Sequence, residues 1–228
     1  MSKKYIEKTF LKFNLGEGKK RAHVDAVHAK GPKADLYTGE LVEKIVHSTG
    51  CAGIIAKVSR TVVDLNRTPY DEKSEMAIKE YRGSIEHIVQ HLNIFERQSY
   101  CINKPYLHLA LHGMKDVHYG PYAIEIGTRF DASCSPEITD WFKQKLHAKI
   151  KAYFPKIKCI FNERFPGDFS KQYHRLGDNY TYNGYGENYH TIQIEISKTL
   201  REHHSDILTK IFSEIILEFE EFRGGGYS

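Results

Sequence analysis

Ser59-Arg-Thr-Val-Val-Asp-Leu-Asn-Arg67 places two guanidiniums, a carboxylate and a carboxamide around the apolar pair Val62-Val63. Read as a short strand core, Val62-Val63 has no use for so many groups that must be solvated or paired at a cost. Arginines are suited to gripping a carboxylate through parallel hydrogen bonds. The stretch therefore reads either as a strand end with surface charges or as part of a binding site. The segments around it carry histidines and a glutamate at strand ends, which favours the site.

Working outward, Ala52–Val58 is a short apolar strand leading into this stretch, and the spacing of Leu36, Leu41, Ile45 and Val46 predicts a helix from Asp35 to Gly50. Upstream, residues 4–14 and 21–29 read as strands, the second ending at His28. Downstream, residues 74–97 read as a helix, Tyr106–Leu111 as a strand ending at His112-Gly113, and Tyr122–Ile126 as another. Helix 136–153, strand Ile157–Phe161, strand Thr191–Ile196 and helix 204–222 complete the pattern. The polar, aromatic stretch 162–189 is too long for an ordinary connector and reads as a site loop. The Gly-rich end, 223–228, reads as a flexible tail. Strands alternating with helices imply an α/β fold with a mixed, mostly parallel sheet, in a single domain spanning 1–228.

The composition sets limits. Lys and Arg number 33 against 29 Asp and Glu, a net charge of +4 with the signs interspersed, so no basic stripe argues for nucleic acid. The apolar runs are too short to span a bilayer, and the first residues lack a signal-peptide core; this points to the cytoplasm and away from membranes. The four cysteines lie far apart, with no Cys-x-x-Cys, and read as reduced and mostly buried.

Ligands of open α/β sheets bind beyond the carboxyl ends of the strands. His28, residues 60–67, His112 and Glu195 all fall there, and Asp35 lies one short loop beyond His28. Two imidazoles, a carboxylate and a water make the open tetrahedral site of a catalytic zinc. Glu40 is an alternative to Asp35 by position. Mn, Fe or Co suits the same donors. Glu195 shares a strand face with Gln193 inside Ile192-Gln-Ile-Glu-Ile196. In a covered sheet it is a buried carboxylate with a raised pKa, fit for proton transfer.

Ser59–Arg67, His112-Gly-Met114, Ile126-Gly-Thr-Arg129, Ser133-Cys-Ser-Pro136, Phe165-Pro-Gly167 and Gln193-Ile-Glu-Ile196 stand in the order seen in N-formylglutamate amidohydrolases. The chain resembles that family from about His28 to about Arg201; the Arg-x-x-x-Asp-Leu-Asn-Arg element is also similar to aspartoacylase and, more remotely, to zinc carboxypeptidases. The resemblance implies a three-layer phosphorylase/hydrolase-like fold and one zinc held by His28, Asp35 and His112. It further implies Glu195 as general base and Arg60 as the group polarising the scissile carbonyl. Asn66 and Arg67 become a clamp for a substrate carboxylate, with Arg129 a further anion contact. The expected activity is hydrolysis of the amide bond of a small N-acylated amino acid such as N-formylglutamate. A zinc peptidase or γ-glutamyl-bond hydrolase acting on a peptide-like carboxylate, and a non-catalytic binding protein on the same scaffold, are the alternatives. The chain departs from the family pattern in having Val27-His28-Ala29-Lys30-Gly31 for Pro-His-Ser-Gly, Gly113 for Ser, and Asp168 where a second glycine often follows Phe-Pro-Gly.

Overall fold

Every residue of Ala22–Ala26 (β3) and of Ala52–Ala56 (β4) is buried, as expected of strands covered on both faces. The structure, a computed structural model, describes residues 4–178 and 181–222; the tail predicted at 223–228 lies outside them. In chain order, Ile6–Glu7 (β1) and Leu11–Asn14 (β2) precede β3, and Thr38–Thr49 (α1) separates β3 from β4. Glu72–His91 (α2), Phe95–Glu96 (β5), Cys101–Ile102 (β6), Tyr106–Met114 (β7) and Ala123–Gly127 (β8) follow. Then come Pro136–Tyr153 (α3), Lys158–Phe161 (β9), Phe169–Leu176 (α4), Tyr189–Ser197 (β10), Lys198–His203 (α5) and Ser205–Phe219 (α6).

An eight-stranded sheet runs in the order β1-β2-β4-β3-β7-β10-β8-β9, with β5 and β6 forming a separate ribbon. β4, β3, β7 and β10 are parallel, whereas β2 runs against β4 and β8 against β10. This is the mixed, mostly parallel sheet expected from the alternation of elements. One face buries Val24, Leu109 and Ile194 under α1, α3 and α6; the other buries Ile54 and Tyr106 with α2. Helices thus cover both sides, giving three layers. No helix among the described residues is long and apolar enough to cross a membrane.

Local chemistry sets the helix ends. Asp71 caps α2, its side chain accepting from Ser74 N at 2.7 Å while Ser74 Oγ accepts from Asp71 N at 3.0 Å. Ser135 caps α3 just ahead of Pro136. α1 closes at Gly50, which adopts the left-handed conformation.

Several elements differ from their predicted bounds. β3 ends at Ala26, so His28 sits in a turn beyond the strand and not at its last residue. Val62-Val63 is no strand core: residues 60–62 form a turn after β4, with Val63 buried and Val62 exposed. Val63 alone anchors the loop in the core, while Val62 faces solvent. β7 runs on through His112 to Met114, and the helix expected over 74–97 gives way at Leu92 to the β5–β6 ribbon. The site loop 162–189 contains α4, whose N-cap is Asp168.

Candidate active site

The even residues of β7 and the odd residues of β10 point away from the isoleucine and leucine layer, and they carry most of the polar groups buried at the sheet centre. Parallel register sets Glu195 beside His112, and antiparallel register sets Glu125 on the other side of Glu195. Beyond β3, the chain turns through His28 and a cis Gly31-Pro32 bond to Asp35, whose N–H donates to His28 O at 2.8 Å. The loop after β4 supplies Arg60, Asp64, Asn66 and Arg67. All of these except Asp64 and Glu125 line an open cleft of about 290 Å³, together with Arg164, Asp168 and Gln193.

Three donor atoms converge at its floor. His28 Nδ1 and His112 Nδ1 lie 3.2 Å apart, and Asp35 Oδ2 is 3.5 Å from the first and 3.4 Å from the second. Two ligand atoms on one tetrahedral zinc, each about 2.0 Å from it, stand about 3.3 Å apart. The donor set and its spacing therefore fit a zinc-sized ion. His28 Nε2 lies 2.7 Å from Asp64 Oδ1, so that nitrogen carries the proton and Nδ1 presents its lone pair to the same spot. Arg60 Nη2 lies 2.5 Å from Asp35 Oδ1, leaving Oδ2 for the imidazoles. Glu40, by contrast, is exposed on α1 and lines a different surface pocket.

Titration follows from this crowding. Burial drives the Glu195 carboxyl up to about 8, and the Asp35 charge pushes the same way. Burial pulls His112 down to about 4. His28 is also penalised by burial, but Asp35 and Asp64 outweigh this and raise it. Burial works against ionised Asp35 as well, yet hydrogen bonds from His112 and His28 hold it well below the ordinary carboxylate range.

Of the residues expected to grip a substrate, Asn66 is buried and accepts from Ser170 Oγ through its carbonyl at 3.0 Å. Arg67 pairs with Asp168 and comes within 4.0 Å of Asp64. Arg129 stands apart: its guanidinium stacks 3.9 Å from the Phe169 ring centroid, behind Gly167, and it does not line the cleft.

Several residues escaped the sequence pattern. Glu125 Oε1, fully buried, accepts from the backbone N–H groups of Glu163, Arg164 and Phe165 at 2.9, 2.6 and 2.7 Å and so shapes the cleft wall. Glu125 interrupts an apolar strand just as Glu195 does, and the same signal marks both. Arg201 reaches from α5 to the carbonyls of Ile196, at 2.9 Å, Met114, at 3.3 Å, and Leu36, tying β10, β7 and the Asp35 loop together. Lys171 is buried on α4, its pKa lowered by burial against the pull of Asp25, Asp168, Asp64 and Glu195.

Beneath the cleft, His23, Asp25 and His108 form a second group of convergent donors, fully buried. Their geometry does not suit a metal. The two imidazoles stack at 4.1 Å with 15° between planes, so their in-plane lone pairs run parallel and cannot meet on one ion. His108 Nε2 instead bonds Asp25 at 2.8 Å, Tyr81 donates to the same oxygen at 2.5 Å, and Thr191 holds the other His108 nitrogen at 3.1 Å. This group is a hydrogen-bonded core layer.

The chain is a three-layer α/β protein whose His-Asp-His cluster lies at the carboxyl ends of the parallel strands of its sheet. No family model matches the chain, and no curated protein sequence matches it. Among solved structures it is similar to N-formylglutamate amidohydrolase from Ralstonia eutropha JMP134, with a TM-score of 0.64 and 15% identity over 94% of this chain and 98% of that one. A gene product of Agrobacterium tumefaciens aligns with a TM-score of 0.60 and 13% identity, over 92% and 93% of the two chains. The fold is thus the one that the motifs implied.

Proposed function

We propose that the protein is a metal-dependent amidohydrolase acting on a small N-acylated amino acid or a similar carboxylate. The observation that carries this reading is the convergence of His28 Nδ1, Asp35 Oδ2 and His112 Nδ1 within 3.5 Å of one another, with Glu195 in register beside His112. Three electron-rich atoms so placed repel one another unless a proton or a cation sits among them. Zinc is the ion that two imidazoles and a carboxylate suit best. Bound there, it would polarise the amide carbonyl and acidify a water.

The chain's own groups supply the rest. Glu195, kept protonatable near neutrality by its burial, takes a proton from the attacking water and returns it to the departing amine. Arg60 orients Asp35 and lends positive charge to the carbonyl oxygen as it becomes an oxyanion. Asn66 and Arg67 hold the substrate at a point away from the scissile bond, so that binding there supplies orientation. The cleft volume, about 290 Å³, lies at the small end for ligand sites and favours a single amino-acid derivative over a long peptide.

The experiment is elemental analysis of the purified protein and of His112→Ala, followed by a turnover screen on N-acylated amino acids and γ-glutamyl peptides. About one zinc per chain, lost in the variant, with hydrolysis of an N-acylated amino acid, supports the reading. Turnover only of γ-glutamyl peptides moves the assignment to a peptidase. Failure to take up zinc, cobalt or manganese overturns it in favour of a binding protein.

A further inference from the structure

Arg67 is the cation offered for a substrate carboxylate, yet a carboxylate of the same chain already sits on it. Asp168 Oδ2 pairs with Arg67 Nη1, and both residues line the cleft. The two oxygens of Asp168 divide their work: Oδ1 accepts from Ser170 N at 3.1 Å as the N-cap of α4, and Oδ2 faces the guanidinium. The first turn of α4 is held to the same loop again by Ser170 Oγ, which donates to Asn66 O at 3.0 Å. Asp168 is therefore fixed over Arg67 by the helix it caps and is not a freely rotating surface group.

The remaining cations of the cleft differ. Arg60 is taken by Asp35. Arg164 is exposed, and among the described residues no carboxylate lies within ion-pair distance of it. A substrate carboxylate directed at Arg67 must displace an intramolecular competitor, whereas an uncharged group at that end meets no such competition.

We infer that Asp168 is a specificity-determining residue, which weakens recognition of a carboxylate at Arg67 and shifts selectivity towards substrates uncharged at that end, such as a carboxamide. The inference rests on the reading of Arg67 as a substrate contact, and it deepens that reading by naming what the contact selects against. A half-exposed ion pair shifts an equilibrium by about fivefold, and this is the size of effect expected.

The test is binding of glutarate, followed by nuclear magnetic resonance or calorimetry, to the wild type, Asp168→Asn, Arg67→Ala and the double variant. Asparagine keeps the capping acceptor while removing the charge. Asp168→Asn is expected to bind glutarate about fivefold more tightly than the wild type, and the gain should vanish when Arg67 is alanine. Asp168→Ser, a second uncharged cap, should reproduce it. A gain that persists without Arg67, a gain in only one of the two Asp168 variants, or no glutarate binding to any of them overturns the inference. In turnover, the substitution should lower KM for N-formylglutamate and leave the wild type's preference for N-formylglutamine over it reversed or erased. If glutarate binding behaves as expected but no N-acylated amino acid is hydrolysed, the inference stands and the hydrolase reading falls.

Discussion

Asp64 Oδ1 lies 2.7 Å from His28 Nε2, on the side of the imidazole remote from Asp35 and His112. A carboxylate there fixes the ring, fixes its tautomer and makes the opposite nitrogen a better donor. Asp64 also accepts from Asn66 N at 2.9 Å, so one residue orients the His28 ring and shapes the loop that carries Asn66 and Arg67. Asp64→Ala is expected to weaken zinc binding by about 10- to 100-fold without removing any of the three ligands. A competition titration against a chromophoric chelator measures this, and an unchanged affinity would remove Asp64 from the metal's support.

Glu195 should separate chemistry from metal binding. Glu195→Gln keeps the side-chain shape beside His112 and the contact from Gln193 Nε2, which now lies 3.2 Å from Glu195 Oε1. Turnover should fall by about 10²- to 10⁴-fold, the usual worth of a general base, while zinc content stays at the wild-type level. Retained turnover would place the base elsewhere.

The same carboxyl makes a prediction for the zinc-free protein. Its folded-state pKa of about 8 stands above the ordinary 4.5, so between those values the folded chain holds a proton that the unfolded chain has lost. Stability from this group is complete below about pH 4.5 and is lost as pH rises towards 8. Glu195→Gln has no proton to lose. Its melting temperature in chelator should therefore gain on that of the wild type as pH is raised from 5 to 8, by an amount on the order of a few kcal/mol in stability. Equal pH dependence of the two proteins would show that Glu195 is solvated.

Much of this architecture is written in local patterns. The sheet and its helices follow from alternation and apolar spacing, because β3, β4, β7 and β10 are buried runs bounded by turns and caps. His28, His112 and Glu195 each lie within two residues of a strand's carboxyl end, near where the alternation placed them. What the patterns miss is set by long-range partners. Val62-Val63 resembles a strand because adjacent β-branched residues favour one, but among the described residues no strand pairs with it, and Val62 faces solvent. α4 hides in a polar stretch because the residues it buries are Lys171 and His174, while its apolar Phe169 and Leu176 are exposed, so its burial leaves no apolar signal in the sequence. Asp168 and Arg67 are 101 residues apart, and no spacing rule connects them.

Gly113 is required by Arg201. A Cβ on Gly113 would lie 2.4 Å from Arg201 Cζ, and the guanidinium cannot retreat without releasing the carbonyls of Ile196, Met114 and Leu36. Gly113→Ala should cost about 1–3 kcal/mol as an overpacked site, lowering the melting temperature by about 2–10 °C. Because Leu36 adjoins Asp35, zinc affinity should fall as well. Thermal unfolding with and without zinc checks both, and a variant as stable as the wild type would mean that Arg201 is free to move.

Glu125 offers a test of the cleft wall apart from the chemistry. Its Oε1 gathers three consecutive backbone N–H groups, from residues 163 to 165, in a site closed to water. Gly127, two residues on, allows the same segment to cross the strand closely: a Cβ there would come within 2.4 Å of Phe165 O. The wall is thus held by a charge at one point and by the lack of a side chain at the next. Glu125→Gln retains an acceptor oxygen but gives up the charge that strengthens all three bonds, at a cost of about 2 kcal/mol or more. Amide exchange at residues 163–165 should quicken well beyond that of β8 itself, and zinc binding by His28, Asp35 and His112 should persist. Exchange that stays as slow as in the wild type would show that the neutral acceptor suffices, and that the carboxylate at this position has another role.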